Sequence, residues 1–329
     1  MKSLHLIIQL LRLGYHVKYH ANQDFTFIKH LSDNTLKPFG HKLDPNYFSP
    51  IRHYLIGLRI TNLWFSTLRG YPCKEHEIMA GRYLGAMTPL FDSLFDDKRL
   101  TMNDIRDAIS SQNPDNLIIT LLRTFRTHLL ENVKNRENVE EKLELVIQSQ
   151  MQSLEQKNPD ISIDQVRRIT FDKGGFALLL CRSILDHPMK ENEEEMILHL
   201  GALVQLTNDI FDVLEDHRKS IKTMADGISD FDSLTSEHQG LIISFLRESE
   251  RCDYKKSNLW KFQALVMLIL SRGLVCIDHL KKSQKENNGV FHPGSMSRKQ
   301  LICDMEKPSN FLKSLKYSLT YLRNYSAYN

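Results

Sequence analysis

Residues 205–216 read Gln-Leu-Thr-Asn-Asp-Ile-Phe-Asp-Val-Leu-Glu-Asp, and their spacing decides the kind of fold. Asn208, Asp212 and Asp216 follow one another at intervals of four, which places their side chains on one stripe of an α-helix. Ile210 and Val213 make much of the remainder apolar, so this helix presents oxygen atoms from a buried wall. Apolar residues recur at three-to-four spacing through most of the chain, whereas the strict alternation typical of β-strands is hard to find. The sequence therefore predicts an all-α fold.

The start and stop signals of helices support this prediction. Ser162 with Gln165, and Thr101 with Asp104, have the spacing of N-terminal capping boxes, and Gly70 ends the helix before it. We expect helices near residues 3–14, 47–69, 75–97, 101–110, 114–133, 137–157, 163–186, 190–217, 235–251, 257–284 and 309–325. No internal repeat or long linker interrupts the pattern. One domain over residues 1–329 is predicted, with residues 1–40 as an N-terminal helical extension.

Composition excludes several classes of function. The chain has 329 residues, 41% of them apolar, and a formal net charge of +3, which lacks the strongly basic character of nucleic-acid-binding domains. Its 5 cysteines form no C-x-x-C pair, which argues against a disulfide framework or a zinc site and favours a cytoplasmic location. The longest apolar run, residues 264–270, is too short to span a bilayer, so no transmembrane segment is expected.

A second acidic segment lies upstream, in Leu90-Phe-Asp-Ser-Leu-Phe-Asp-Asp97. Asp92 and Asp96 are one helical turn apart, with Asp97 beside them, and like charges at that spacing repel each other. Solvent exposure or a bound cation would relieve the repulsion, and this segment alone does not choose between them. Mg²⁺ takes oxygen ligands from a few carboxylates, from water and from substrate phosphates. Two acidic stripes on opposite walls of one cavity would suit such a site.

The two segments resemble the metal-binding motifs of the class I isoprenoid diphosphate enzymes, the superfamily of terpene synthases and polyprenyl synthases. Residues 92–97 resemble the first aspartate-rich motif. Asn208, Asp212 and Asp216 resemble the Asn, Ser/Thr, Glu triad of terpene synthases, with Asp at the last two places. Gln205, Asn208, Asp209 and Asp212 also resemble the second polyprenyl synthase motif. The resemblance covers residues 47–280 approximately.

The segment Phe171-Asp-Lys-Gly-Gly-Phe-Ala-Leu-Leu-Leu180 resembles the lysine helix of the same superfamily. A glycine pair inside a helix weakens it and commonly marks a bend or a close approach of the backbone to another group. In the superfamily that break faces the substrate, and the lysine binds diphosphate. The resemblance therefore assigns a diphosphate-binding role to Lys173. Arg167 and Arg168 are candidates for a second contact, because a guanidinium group matches phosphate oxygens. The alternative for Lys173 is an exposed lysine beside a loop.

The resemblance implies a helical bundle around a central cavity and Mg²⁺ as the cofactor, about three ions, for which Mn²⁺ could substitute. The implied metal ligands are Asp92, Asp96, Asp97, Asn208, Asp209, Asp212 and Asp216. The implied catalytic residues are Asp92, Asp96, Asn208, Asp212 and Lys173. The implied substrate-binding residues are Lys173, Arg168, Gly174, Gly175, Gln205, Phe91, Phe95 and Phe211, although these aromatic residues also suit plain core packing.

The expected activity is that of a terpene synthase, which ionises an allylic prenyl diphosphate and releases diphosphate and a cyclic or linear terpene. Chain-elongating members of the superfamily carry a Gly-Gly-Lys-x-x-Arg-Pro segment and an arginine pair after the first aspartates, and the sequence has neither. Cyclisation is therefore favoured over condensation with a second diphosphate. A prenyl transferase, elongating or head-to-head, is the alternative among enzymes, and a non-catalytic helical scaffold is the alternative outside them. A homodimer is compatible with either.

Overall fold

The structure is a computed structural model that describes residues 2–96, 116–226 and 231–325. Within these ranges the chain is helical and contains no β-strand, so the predicted all-α fold is confirmed. The first half contains α1 (Lys2–Leu36), α2 (Phe48–Arg69), α3 (Glu75–Asp96), α4 (Leu117–Glu131), α5 (Arg136–Gln152) and α6 (Ile163–Ser183). The second half contains α7 (Glu193–Phe211), α8 (Val213–Arg218), α9 (Phe231–Arg251), α10 (Lys256–Leu270), α11 (Arg272–Glu286), α12 (Arg298–Leu301) and α13 (Pro308–Tyr325).

The chain folds into two compact units. Unit 1 consists of residues 1–9, 144–179 and 188–329, and unit 2 consists of residues 10–143 and 180–187. In unit 1, α7 packs mainly against α9 and also against α11. In unit 2, α3 packs against α2 and α4. The assignment of residues 1–329 to one domain stays a prediction.

Helix α1 is much longer than the predicted helix over residues 3–14. Its buried positions continue past Gly14 at helical spacing, and Ile28 has no exposed surface. Asp24, also buried, binds the guanidinium groups of Arg59 on α2 and Arg82 on α3. A buried carboxylate needs such partners, because an unpaired charge in the interior is costly. These long-range ion pairs hold α1 helical through a stretch that its sequence leaves ambiguous.

Two predicted helices are each interrupted in the structure. The helix expected over residues 190–217 ends at Phe211 and resumes at Val213, because Asp212 has φ −94° and ψ 9°. The helix expected over residues 257–284 is interrupted at Ser271. The hydroxyl of Ser271 donates to the carbonyl oxygen of Ser314 at 3.0 Å, which satisfies a polar group inside the core.

Two predicted helix boundaries are confirmed by their hydrogen bonds. At the start of α6, the backbone N–H of Gln165 donates to the Ser162 hydroxyl oxygen, and the Ser162 N–H donates to the Gln165 side chain. At the end of α2, Gly70 adopts φ +90°, a conformation that favours glycine. The capping box at Thr101, the helix predicted over 101–110 and the first residues of that predicted over 114–133 lie outside the described residues.

One described stretch, Lys256–Glu286, is long and apolar enough to pass as a membrane-spanning helix by length and composition. In the structure, 83% of its most apolar window is buried within the protein. It comprises α10 and α11, and core helices of this kind meet the same criteria. Burial inside the protein therefore accounts for its apolar composition.

Candidate functional site

The polar stripe of residues 208–216 keeps its spacing across the interruption between α7 and α8. The N–H of Asp212 donates to the carbonyl oxygen of Asn208, and the N–H of Asp216 donates to that of Asp212, both at 2.9 Å. The Asn208 side-chain amide also donates to the Asp212 carboxylate at 2.9 Å. Asn208 and Asp212 are exposed and Asp216 is half-buried. The three side chains thus follow one another along unit 1 from solvent towards the interior.

Asp209 lies beside this stripe but is almost fully buried, with 4% of its surface exposed. One of its carboxylate oxygens accepts a hydrogen bond from the Gln205 amide at 2.8 Å, and the other accepts one from the Thr170 hydroxyl at 3.1 Å. Thr170 belongs to α6, so this contact joins α6 to α7. Thr170 is not among the residues that the sequence singles out, although it lies one turn before Lys173 on the same helix.

Lys173 projects from α6 close enough to these carboxylates for its charge to affect them. Its side chain is half-buried and makes no hydrogen bond or ion pair with any residue that the structure describes. Its positive charge nevertheless lowers the pKa values of both Asp209 and Asp216. Lys219, whose charge also lowers the pKa values of Asp212 and Asp216, lies 3.5 Å from Glu215 and is held there. Lys173 is therefore available to an anion that approaches the acidic side chains.

The carboxylates hold their protons more tightly than ordinary aspartates. Burial raises the pKa of Asp209 to about 6, against the opposing effects of the Gln205 hydrogen bond, the Lys173 charge and the Thr170 hydrogen bond. Burial raises the pKa of Asp216 to about 7, and the negative charges of Asp209 and Asp212 raise it further. The pKa of Asp212 is also raised, because surrounding protein displaces water from its carboxylate. Burial is the largest cause of all three shifts, and repulsion between the carboxylates adds to it for Asp209 and Asp216.

The glycine pair of α6 marks a close crossing with α7. A Cβ atom on Gly174 would lie 2.1 Å from the carbonyl oxygen of Gly201, and one on Gly201 would lie 2.3 Å from that of Gly174. A Cβ atom on Gly175 would lie 2.9 Å from the side chain of Leu198. The backbones thus touch, which brings Lys173 and Thr170 to the acidic face of α7. Contact of Gly174 and Gly175 with a substrate stays a prediction.

The arginines near the start of α6 differ in their contacts. Arg167 donates to Glu237 at 2.8 Å and stacks over the Phe171 ring. Arg168 is exposed, and its charge opposes the burial that raises the pKa of Asp172. Both arginines are exposed, and they differ in that Arg167 is paired with Glu237.

The first acidic segment belongs to unit 2. Asp92 lies near the end of α3 and accepts a hydrogen bond from the Tyr54 hydroxyl at 2.7 Å. Phe91 and Phe95 are buried and stack with their ring centroids 6.2 Å apart, whereas Phe211 in unit 1 is half-buried. The backbone of Asp96 ends α3. The side chain of Asp96 and the whole of Asp97 lie outside the described residues.

The donor set of unit 1 is suited to Mg²⁺ in its chemistry. In the described ranges, no three His, Cys, Asp or Glu side chains converge closely enough to enclose a metal ion by themselves. Mg²⁺ is commonly held by one or two carboxylates, with water and substrate phosphates completing the octahedron. Asp212 and Asp216 supply carboxylates, Asn208 supplies an amide oxygen, and a cation would offset the negative charges of Asp209 and Asp212 that act on Asp216.

A pocket of about 160 Å³, measured together with its opening to solvent, lies in unit 2 near the buried ion pairs. It is lined by Asp24, Leu55, Leu58, Arg59, Asn62, Ile78, Gly81 and Arg82. None of the residues predicted to bind metal or substrate belongs to this lining. The predicted central cavity is therefore a different feature from this pocket and stays a prediction.

Comparison of the chain with protein-family models, with curated proteins and with solved structures finds no match.

Proposed function

We propose that the protein is a Mg²⁺-dependent enzyme that ionises an allylic prenyl diphosphate and releases diphosphate with a cyclic or linear terpene. The observation that carries this proposal is the pairing, in unit 1, of a half-buried lysine that has no described partner with carboxylates that repel one another. In a site of this kind, the lysine favours a bound anion and the carboxylates favour a bound cation. A metal diphosphate provides both, because its cation binds the carboxylates and its phosphate oxygens accept a hydrogen bond from the lysine.

In this proposal the role of each residue follows from its position in the site. Asp212 and Asp216 would hold Mg²⁺, with the Asn208 oxygen as a further ligand. Mg²⁺, when bound, supplies positive charge that stabilises the leaving diphosphate. Lys173 donates to a phosphate oxygen and so lowers the cost of the charge that develops as the carbon-oxygen bond breaks. Buried Asp209, held by Thr170 and Gln205, fixes the rotation of α7 relative to α6.

The remaining sequence assignments belong to the same proposal. Asp92, Asp96 and Asp97 are proposed as further metal ligands, and Phe91, Phe95 and Phe211 as surfaces that stabilise cationic intermediates. A prenyl transferase and a non-catalytic scaffold remain the competing functions. A cytoplasmic location and a homodimer are likewise proposed rather than established.

The deciding experiment incubates the purified chain with Mg²⁺ and allylic diphosphates of several lengths, with and without labelled isopentenyl diphosphate. The expected result is release of diphosphate and a hydrocarbon or alcohol, with no label in a longer prenyl diphosphate. Incorporation of label at a rate similar to substrate consumption would identify a prenyl transferase. No turnover of any substrate, in a protein that is folded by circular dichroism, would favour the scaffold.

The variant Lys173→Gln tests the role of the lysine and has a readout besides turnover. We expect a lower kcat and weaker binding of inorganic diphosphate in the presence of Mg²⁺, because a charge-assisted hydrogen bond is lost. Removal of the nearby positive charge should also raise the pKa of Asp216 further. Lys282→Gln, which changes an exposed lysine that lies 3.6 Å from Glu286, is the matched control and should alter none of these three quantities.

A further inference from the structure

Helix α1 has two apolar faces, and only one of them is covered by the protein. Leu6, Leu13 and Ala21 follow one side of the helix and are buried. The opposite side carries large apolar and aromatic residues that are exposed, and these are Ile7, Ile8, Leu11, Tyr15 and Tyr19. Residues 7, 11, 15 and 19 are one turn apart, so they form a continuous row. We call these five residues the exposed face of α1.

The exposure of this face is large for residues of this type. Leu11 retains 68% and Tyr15 retains 67% of their accessible surface, and the other three members are about half exposed. The Tyr15 and Tyr19 rings stack with their centroids 5.4 Å apart, so the two aromatic side chains form one flat surface. Single exposed apolar residues are common in soluble proteins, but a contiguous row marks a surface that binds something.

The charge of the same helix indicates what binds there. Residues 2–23 include Lys2, Arg12 and Lys18 but contain no aspartate or glutamate. The first acidic residue, Asp24, is buried and paired with Arg59 and Arg82. The first two thirds of α1 therefore combine an apolar, tyrosine-rich face with exclusively basic charge. That combination is the signature of a helix that lies in the interface of a membrane with anionic lipids.

We propose that the exposed face of α1 binds the surface of an anionic lipid bilayer, with the helix axis in the plane of the membrane. Ile7, Ile8 and Leu11 would enter the boundary between headgroups and acyl chains, and the tyrosines would lie at headgroup depth, where their amphipathic rings are favoured. Basic side chains near the surface would be attracted by the negative lipid headgroups. This inference rests on α1 alone and is independent of the proposed catalytic function.

A second copy of the chain is a less suitable occupant of the same face. Paired helices that are stable in water usually place acidic residues opposite basic ones along the edges of the apolar seam. Residues 2–23 contain no acidic residue, so two copies of α1 related by a two-fold axis would bring only basic residues together. Repulsion between like charges would oppose that pairing, whereas an anionic bilayer would be attracted.

Co-sedimentation of the full chain with lipid vesicles tests the proposal. We expect binding to vesicles that contain phosphatidylglycerol, weaker binding to pure phosphatidylcholine vesicles, and a loss of binding as salt is added. The double variant Leu11→Gln/Tyr15→Gln keeps the net charge and should weaken binding by at least about tenfold. Arg12→Gln should weaken binding to the anionic vesicles by about fivefold and leave binding to neutral vesicles unchanged.

The control for these variants is Leu312→Gln, which changes an equally exposed leucine, at 63%, on the surface helix α13. It should leave vesicle binding unchanged. The proposal is overturned if the wild-type chain does not sediment with anionic vesicles, or if Leu312→Gln weakens binding as much as the α1 variants. It is also overturned if light scattering without lipid shows a dimer that the α1 double variant abolishes, since the face then belongs to a second copy.

Discussion

The substitution Asp216→Asn should stabilise the metal-free protein, and the gain should grow as the pH rises. In the folded chain burial is the largest cause that raises the pKa of Asp216 from its ordinary value of 3.8 to about 7. The native state therefore binds the proton more tightly than the unfolded state does. For such a group the free energy of unfolding falls as the pH rises from the unfolded pKa to the folded pKa, and asparagine removes that loss.

The size of the effect follows from the shift. Each pKa unit corresponds to about 1.4 kcal/mol, so a shift of about three units sets an upper limit of roughly 4 kcal/mol. Part of the shift comes from the charges of Asp209 and Asp212, which relax when the site rearranges or admits water. We therefore expect the free energy of unfolding of Asp216→Asn to exceed that of the wild type by about 1–3 kcal/mol above about pH 7. Below about pH 4 the two free energies should be equal.

Urea unfolding in the presence of EDTA, followed by circular dichroism across this pH range, measures the difference directly. Asp160→Asn, which changes an exposed aspartate of the same unit, is the control for the effect of an Asn substitution as such. The reasoning is refuted if Asp216→Asn destabilises the protein at high pH, or if its effect is the same at all pH values. Either result would mean that the ionised Asp216 carboxylate does not destabilise the folded protein.

Three further predictions address the site and its supporting contacts. Asp92→Asn and Asp212→Asn should each lower turnover at saturating substrate by at least about a hundredfold with little change in melting temperature, because they remove charge that binds cations and not core packing; near wild-type turnover in both variants would contradict the metal-site assignment. In thermal-shift titrations, Mg²⁺ and inorganic diphosphate together should raise the melting temperature by more than the sum of their separate effects, since each completes the binding site of the other; additive shifts would count against a shared site. Gly201→Ala should destabilise the chain by about 2–4 kcal/mol in urea unfolding, because the added methyl group would meet the Gly174 carbonyl oxygen. Gly57→Ala, which has open space around it, should instead stabilise α2 by up to about 1 kcal/mol. Equal effects of the two substitutions would show that α6 and α7 do not touch at this point.

The sequence is a good guide wherever a local signal determines the structure. The end of α2 and the start of α3 follow their predicted limits closely, because Gly70 and the turn after it stop one helix before the next begins. The sequence does not predict the full extent of α1, because Gly14 and the polar residues after it resemble a helix end. The helix continues owing to the ion pairs of Asp24, whose partners are 35 and 58 residues away. Contacts at that separation leave no mark on a local pattern.

The candidate site likewise has a part that local spacing predicts and a part that depends on how the helices pack. Periodicity alone identifies Asn208, Asp212 and Asp216, because the interruption at Asp212 leaves the hydrogen bonds on both sides of it intact. Thr170 could not be found from the sequence, since its contact with Asp209 depends on how closely α6 approaches α7. The glycine pair predicts a close approach of the backbone to another group, and in the structure that group is α7, while contact with a substrate stays a prediction. Its partner glycine, Gly201, lies in another helix and carries no local signal of its own.

The contacts of Asp209 differ from those of its neighbours. The sequence predicts it as a metal ligand, yet both of its oxygens already accept hydrogen bonds, and coordination would compete with Gln205 and Thr170. Asp212 shares one hydrogen bond with an exposed asparagine, and Asp216 accepts none from any described side chain, so both can turn towards a cation at lower cost. The charge of Asp209 still raises the pKa of Asp216. A cation bound by Asp212 and Asp216 would therefore relieve the repulsion that Asp209 creates, while Asp209 itself keeps α6 and Lys173 in position against α7.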